Sequence, residues 1–264
     1  MELFVPVMRR YINLFQWPND LCGTKNNINN LLQQTLAGIV TSNHQAVNIF
    51  EKYQLDFCCK GKRTLEEACS EKSIDAATVA DELGAILQPQ ANKQMPFTEM
   101  TAEQLISHIM VKHHFYVKQS MPQIQYHIQK VAIKHGERFP YMREVFELFA
   151  EVNDDMTQHM EREEKILFSR IKEAEWLFKQ NGTATIPAAF IDGRIQVMEM
   201  EHVRAGEILY RIRSLTNNYT PPEGASTTFK VSLAELKEFE EDLHQHVHLE
   251  NYILFPMVKE FTNP

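Results

Sequence analysis

Two stretches of this chain carry one string: HMEREEKILF from His159 to Phe168, and HVHLENYILF from His246 to Phe255. Each holds a histidine, a glutamate four residues later, and Ile-Leu-Phe at the same offset. A lone His-x3-Glu is common by chance in helical proteins. Here only two of the eleven histidines have a glutamate at that spacing, and both have matched flanks. The upstream spacing repeats as well: His114 lies 45 residues before His159, and His202 lies 44 before His246. The chain therefore contains an internal repeat of about helical-hairpin length.

Helix dimensions turn the repeat into a site. Residues four apart share a helix face, so each His and Glu of a pair can reach one point. A gap of about 45 residues lets the chain run down one helix and return to the same level, each arm roughly 30 Å long. One hairpin then offers two imidazoles and a carboxylate, and two facing hairpins offer four imidazoles and two carboxylates. Six protein ligands exceed what one tetrahedral zinc takes. Two metals sharing carboxylates fit better, with Glu163 and Glu250 as the natural bridges. Mixed imidazole and carboxylate ligation suits iron. The residue at the first ligand position stays open between His113 and His114. An inward stripe of Ile106, Met110, Val117, Ile124 and Val131 places His113 nearer its centre, while Pro122 disturbs the phase. His44, His108, His127, His135, His244 and His248 read as surface or locally hydrogen-bonded residues. The repeated Ile-Leu-Phe reads as bundle core.

Outward from the repeat, four long helical patterns run over about 101–135, 140–180, 195–215 and 231–261. Gly136 and Pro140 part the first two. Asn181-Gly182 ends the second, and a loop reaching Asp192-Gly193 precedes the third. Tyr219 to Gly224, with Pro221 and Pro222, parts the last two. Strand signals are sparse. The class is all-α, an up-and-down four-helix bundle over 101–264, preceded by a small helical module over 36–88 and a linker over 89–100. Thr101 with Gln104, and Thr64 with Glu67, have capping-box spacing. Asp75 opens a further helix, and Ser42 or Asn43 caps the one that starts near Ala46. Cys58 and Cys59 interrupt the module's helical pattern. Residues 1–35 stay unassigned.

Composition excludes some classes. The 264 residues carry a net charge of −8, with no like-charge run of nucleic-acid-tail length. No stretch approaches a membrane span. The N-terminal apolar run is broken by Pro6 and Arg9-Arg10 and does not read as a signal peptide. The four cysteines form no spaced disulfide framework, so a reducing cytoplasm is the expected setting.

The chain resembles the RIC family, di-iron iron–sulfur cluster repair proteins of the ScdA/YtfE type. IFEKYQLDFCCKGKRTLEEAC (Ile49–Cys69) is similar to the family's N-terminal signature with paired cysteines, and residues from about 101 onward are similar to its hemerythrin-like domain. The resemblance implies the ligand set His114, His159, Glu163, His202, His246 and Glu250, choosing His114 through its H-x7-P spacing to Pro122. It implies two non-haem iron ions with an oxo or hydroxo bridge, acidic residues Asp155 and Glu201 near them, and a thiol role for Cys58 and Cys59. It implies repair of clusters damaged by nitric oxide or oxidants, with damaged iron–sulfur proteins as partners and neither nucleic acid nor membrane; homodimerisation stays open. A dioxygen or nitric oxide binding or sensing protein, and a di-iron nitric oxide or peroxide reductase, are the alternatives. Lys60 and Gln54 depart from the family pattern, which bears on the shape of the cysteine loop.

Overall fold

The computed structural model describes residues 30–86, 96–182 and 188–262. The expectations for residues 1–29 and for most of the linker fall outside them. The described residues are helical, with no strand and one isolated antiparallel bridge, Thr35 to Thr64. No helix among them is long and apolar enough to cross a membrane.

The N-terminal module comprises α1 (Leu36–Ser42), α2 (Ala46–Tyr53), α3 (Leu65–Glu71) and α4 (Ala76–Ile86). Thr64 and Glu67 form the expected capping box, and Asp75 accepts the backbone N–H of Ala77. Ser42 is the last residue of α1 rather than a cap. Its hydroxyl donates back to the Ile39 carbonyl, while the Asn43 side chain accepts from Gln45 N–H just before α2. Gln54 ends α2 in the left-handed region, φ 54°, a conformation that glycine adopts at lower cost.

The bundle begins with α5 (Ala102–His108), capped by Thr101 and Gln104. A π turn (Ile109–His114) leads into α6 (Phe115–His135). α7 (Tyr141–Arg162), a π turn (Glu163–Leu167) and α8 (Phe168–Asn181) form the second arm. α9 (Ala188–Leu215) is the third. α10 (Thr227–Leu249), a π turn (Glu250–Leu254) and α11 (Phe255–Thr262) form the fourth. α6 lies against α7 and α10, and α9 against α7, which gives the antiparallel order expected of short connections. Asp192 and Gly193, expected in a loop, are inside α9. Burial of Ile191, Ile195 and Met198 on one face outweighs the roughly 1 kcal/mol cost of a helical glycine.

The interior has two parts. Val117, Phe149, Met156, Leu209, Phe239 and Val247 belong to one apolar cluster, which also takes in Phe50, Phe57 and Leu65 of the N-terminal module. Leu105, Phe168, Ile195, Leu254 and Phe255 belong to the other. The residues between them along all four arms are the histidines and glutamates of the repeat.

Candidate metal centre

The structure brings the six expected ligand residues into two overlapping groups. One is His114, Glu163, His246 and Glu250; the other is His159, Glu163, His202 and Glu250. Within each group one ligand atom per residue lies within 4.8 Å of the others, and every member is buried. Both carboxylates belong to both groups. Glu250 turns Oε1 to His246 Nε2 at 3.0 Å and Oε2 to His202 Nε2 at 3.1 Å. Glu163 Oε2 lies 3.3 Å from His159 Nε2 and 3.5 Å from His114 Nε2.

The sequence builds this layer with π turns. Glu163 and Glu250 each open one, and His114 closes the third. A π turn holds about one more residue than an α turn and shifts the helical phase of the residues after it. That shift, rather than Pro122, decides between the adjacent histidines; α6 continues through Pro122 without a break in its assignment. His114 faces the glutamates. His113 is equally buried but sits beside the layer, donating from Nδ1 to Asp242 Oδ1 at 2.9 Å and stacking on His246.

The second ring nitrogens are held from behind. His114 Nδ1 donates to Glu164 Oε1 at 2.7 Å, His159 Nδ1 to Glu201 Oε2 at 2.9 Å, and His202 Nδ1 to Asn251 Oδ1 at 3.0 Å. An imidazole that donates from Nδ1 presents a lone pair at Nε2. His159 and His202 thus aim lone pairs at each other across 3.1 Å, as the Nε2 atoms of His114 and His246 also face across 3.1 Å. Such pairs repel unless a cation lies between them or a ring takes a proton. Burial by itself lowers the His159 pKa, but Glu163 and Glu201 outweigh it and hold it at about 10. Burial and Glu250 push Glu163 up, while His159 and His114 bring it down to about 2. Both Glu163 oxygens are buried without a hydrogen bond. Four convergent imidazoles, two shared carboxylates and these unmet acceptors fit a pair of divalent metal ions, whose binding would displace protons.

Glu201 therefore touches a histidine of the layer, His159, and it also pairs with Arg162. Asp155 stands one turn before His159, with its carboxylate on Arg204 at 3.1 Å and outside both ligand groups. Glu164 and Asn251 were missed. Each directly follows a repeat glutamate, a regularity visible in the aligned strings but carrying no chemical signal by itself.

Cys58 and Cys59 lie beside the layer. Asp56 Oδ1 accepts the Cys59 and Lys60 N–H groups at 2.9 and 3.2 Å, which sets the loop. Lys60 points to solvent, and Gly61 fits because a Cβ there would meet the Phe57 carbonyl at 2.1 Å. The thiols are 3.5 Å apart, and contact with Cys59, then burial, push the Cys58 thiol well above its ordinary pKa. The Cys59 thiol lies 3.6 Å from the His202 carbonyl. Asn251 Nδ2 donates to the Cys58 carbonyl at 3.2 Å, so one side chain holds both the loop and a ligand imidazole.

Some histidines read as surface residues prove to fasten the module to α10. His244 Nδ1 pairs with Glu51 at 2.6 Å, and His44 Nε2 with Gln245 at 3.1 Å. The buried His248 lies 3.4 Å from the Thr41 hydroxyl, and Phe57 packs edge-on to His244 and His248. His108 packs on Phe97. His127 and His135, expected to bond locally, instead reach across to the fourth arm, His127 Nδ1 to Glu235 at 2.7 Å and His135 Nε2 to the Ser226 hydroxyl at 3.3 Å.

Residues 105–258 match the hemerythrin HHE cation binding domain. Residues 32–87 match ScdA_N, described as a domain of unknown function (DUF542). A Haemophilus influenzae protein named probable iron-sulfur cluster repair protein is 35% identical over 227 residues, 86% of this chain and 96% of that one. The iron-sulfur cluster repair protein YtfE of Yersinia pseudotuberculosis is 34% identical over 223 residues, 84% of this chain and 95% of its own length. Its counterpart from Enterobacter sp. (strain 638) is 33% identical over the same shares.

Proposed function

Since the chain belongs to the iron–sulfur cluster repair family and carries that family's hemerythrin-like cation-binding domain, we propose that it restores iron–sulfur clusters damaged by nitrosative or oxidative stress. The observation that carries this reading is the shared use of Glu163 and Glu250 by two histidine groups. That arrangement supports a centre of two iron ions, one of which would be held by His114 and His246 and the other by His159 and His202, with Glu163 and Glu250 available to both. The centre, when loaded, supplies exchangeable iron and a change of oxidation state.

The chain's own residues do the rest. Glu164, Glu201 and Asn251 fix the tautomer of three imidazoles and aim their Nε2 atoms inward. The apolar clusters on either side of the layer limit water around it. At the His202 edge the partly exposed Cys59 offers a thiol for contact with the damaged protein, with the buried Cys58 thiol 3.5 Å behind it. This module favours repair over carriage of a gas, which has no need of a thiol pair beside the centre. The clients are damaged iron–sulfur proteins.

The test adds the iron-loaded protein to a nitric-oxide-damaged iron–sulfur enzyme and follows recovered activity. Recovery with the wild type, its loss in His159→Ala, and a reduced rate in the Cys58/Cys59 double serine variant are expected. No recovery with the wild type contradicts the repair reading. Equal recovery with the double serine variant reduces the loop to scaffold.

A further inference from the structure

The internal repeat pairs positions as well as ligands. His114 corresponds to His202, His159 to His246, and Glu163 to Glu250. The correspondence extends to the packing: Phe168 stacks on His114 at 5.6 Å and Phe255 on His202 at 6.3 Å between centroids. It extends to one group behind the ligands, because Glu164 and Asn251, each next to a bridging glutamate, both accept from an imidazole Nδ1.

At the other such position the symmetry breaks. Glu201, immediately before His202, accepts from His159 Nδ1. The residue immediately before His114 is His113, and it gives His246 no acceptor. Its ring lies parallel to that of His246, with centroids 5.7 Å apart and 10° between planes, and its own Nδ1 is engaged by Asp242. His246 is completely buried, and its Nδ1 has no hydrogen-bond partner. Three ligand imidazoles are therefore oriented and made more basic by an acceptor behind them, and the fourth is not. Partners of this kind are worth about 10- to 100-fold in metal affinity. On the opposite side the difference grows, because the acceptor behind His202 is itself tied to the Cys58 carbonyl.

We infer that the two metal positions are unequal, and that the ion held by His114 and His246 is the one released first. His113 and Glu201 are the positioning residues that set the difference. The inference rests on the two-iron reading above and identifies which ion of the pair is available to leave.

The test loads the full chain anaerobically with two ferrous ions and mixes it with excess of a coloured ferrous chelator. The wild type should lose iron in two phases of one ion each, with rates at least about tenfold apart. Glu201→Leu should speed the slow phase towards the fast one. His113→Gln, which offers an amide oxygen without adding charge beside Asp242, should slow the fast phase, a gain that damage to the fold does not produce. A single phase carrying both ions, or a slow phase indifferent to Glu201→Leu, overturns the inference and leaves the two-iron centre standing. A chain that loads fewer than two ions overturns the centre, and the inference with it.

Discussion

The metal layer and the cysteine loop sit side by side but are built in different ways. The layer takes its groups from four long helical arms and buries all six. The loop is one short segment shaped by a single carboxylate, Asp56, and a close-packed glycine, Gly61. Asn251 joins them. A site carried by helices has its geometry fixed by the whole bundle, whereas a loop has it fixed by a few local bonds and by the surface it leans on. The layer should therefore survive changes in the loop, while the loop should respond to changes at the seam.

The largest effect should come from removing a shared ligand. Glu163→Ala takes a carboxylate from both groups, and iron content after anaerobic reconstitution should fall from two per chain to one or none. Retention of two irons would remove the bridging role. Next in size is the seam. Glu51→Gln leaves the partly buried His244 without its charged partner and should cost roughly 2 kcal/mol in urea unfolding. The same pair gives a pH signature. Burial lowers the His244 pKa, but Glu51 outweighs it and raises it to about 9. A raised histidine pKa stabilises the folded form fully below the unfolded value of about 6.5 and loses that contribution as pH rises through about 9. Wild type should lose stability between pH 7 and 10 relative to Glu51→Gln, and parallel profiles would contradict the pairing.

Smaller effects should sharpen the contrast. Gly61→Ala drives a Cβ into the Phe57 carbonyl and should cost about 2 kcal/mol while leaving iron content at two per chain. Asn251→Ala frees the loop and one imidazole together. Thiol labelling of Cys58 and Cys59 should quicken several-fold and the absorption of the iron-loaded centre should shift; a change in only one of these would mean that Asn251 serves one side alone.

The same contrast explains which features were legible in the sequence. The bundle was readable because helical period, capping boxes at Thr64 and Thr101, and breaks at Gly136 and Gly182 all describe local backbone preferences. Five of the six convergent residues were readable because a repeat shows its spacing twice. The choice of His114 was not available from period alone, since the π turn at Ile109–His114 shifts the phase and leaves no compositional mark. Asp192-Gly193 looked like a loop because its helical state depends on burial against distant residues. His244 and His248 looked like surface residues because their neighbours, Glu51, Thr41 and Phe57, lie about two hundred positions away. Glu164 and Asn251 come directly after the glutamates in plain view, but only distance assigns them a role.

The central claim is that two ions share Glu163 and Glu250. Anomalous scattering at the iron edge, from crystals of anaerobically reconstituted protein, tests it directly. The account predicts two peaks per chain roughly 3.5–4 Å apart, one among His114, Glu163, His246 and Glu250, the other among His159, Glu163, His202 and Glu250. A single peak in the layer, or iron held only at Cys58 and Cys59, would contradict it.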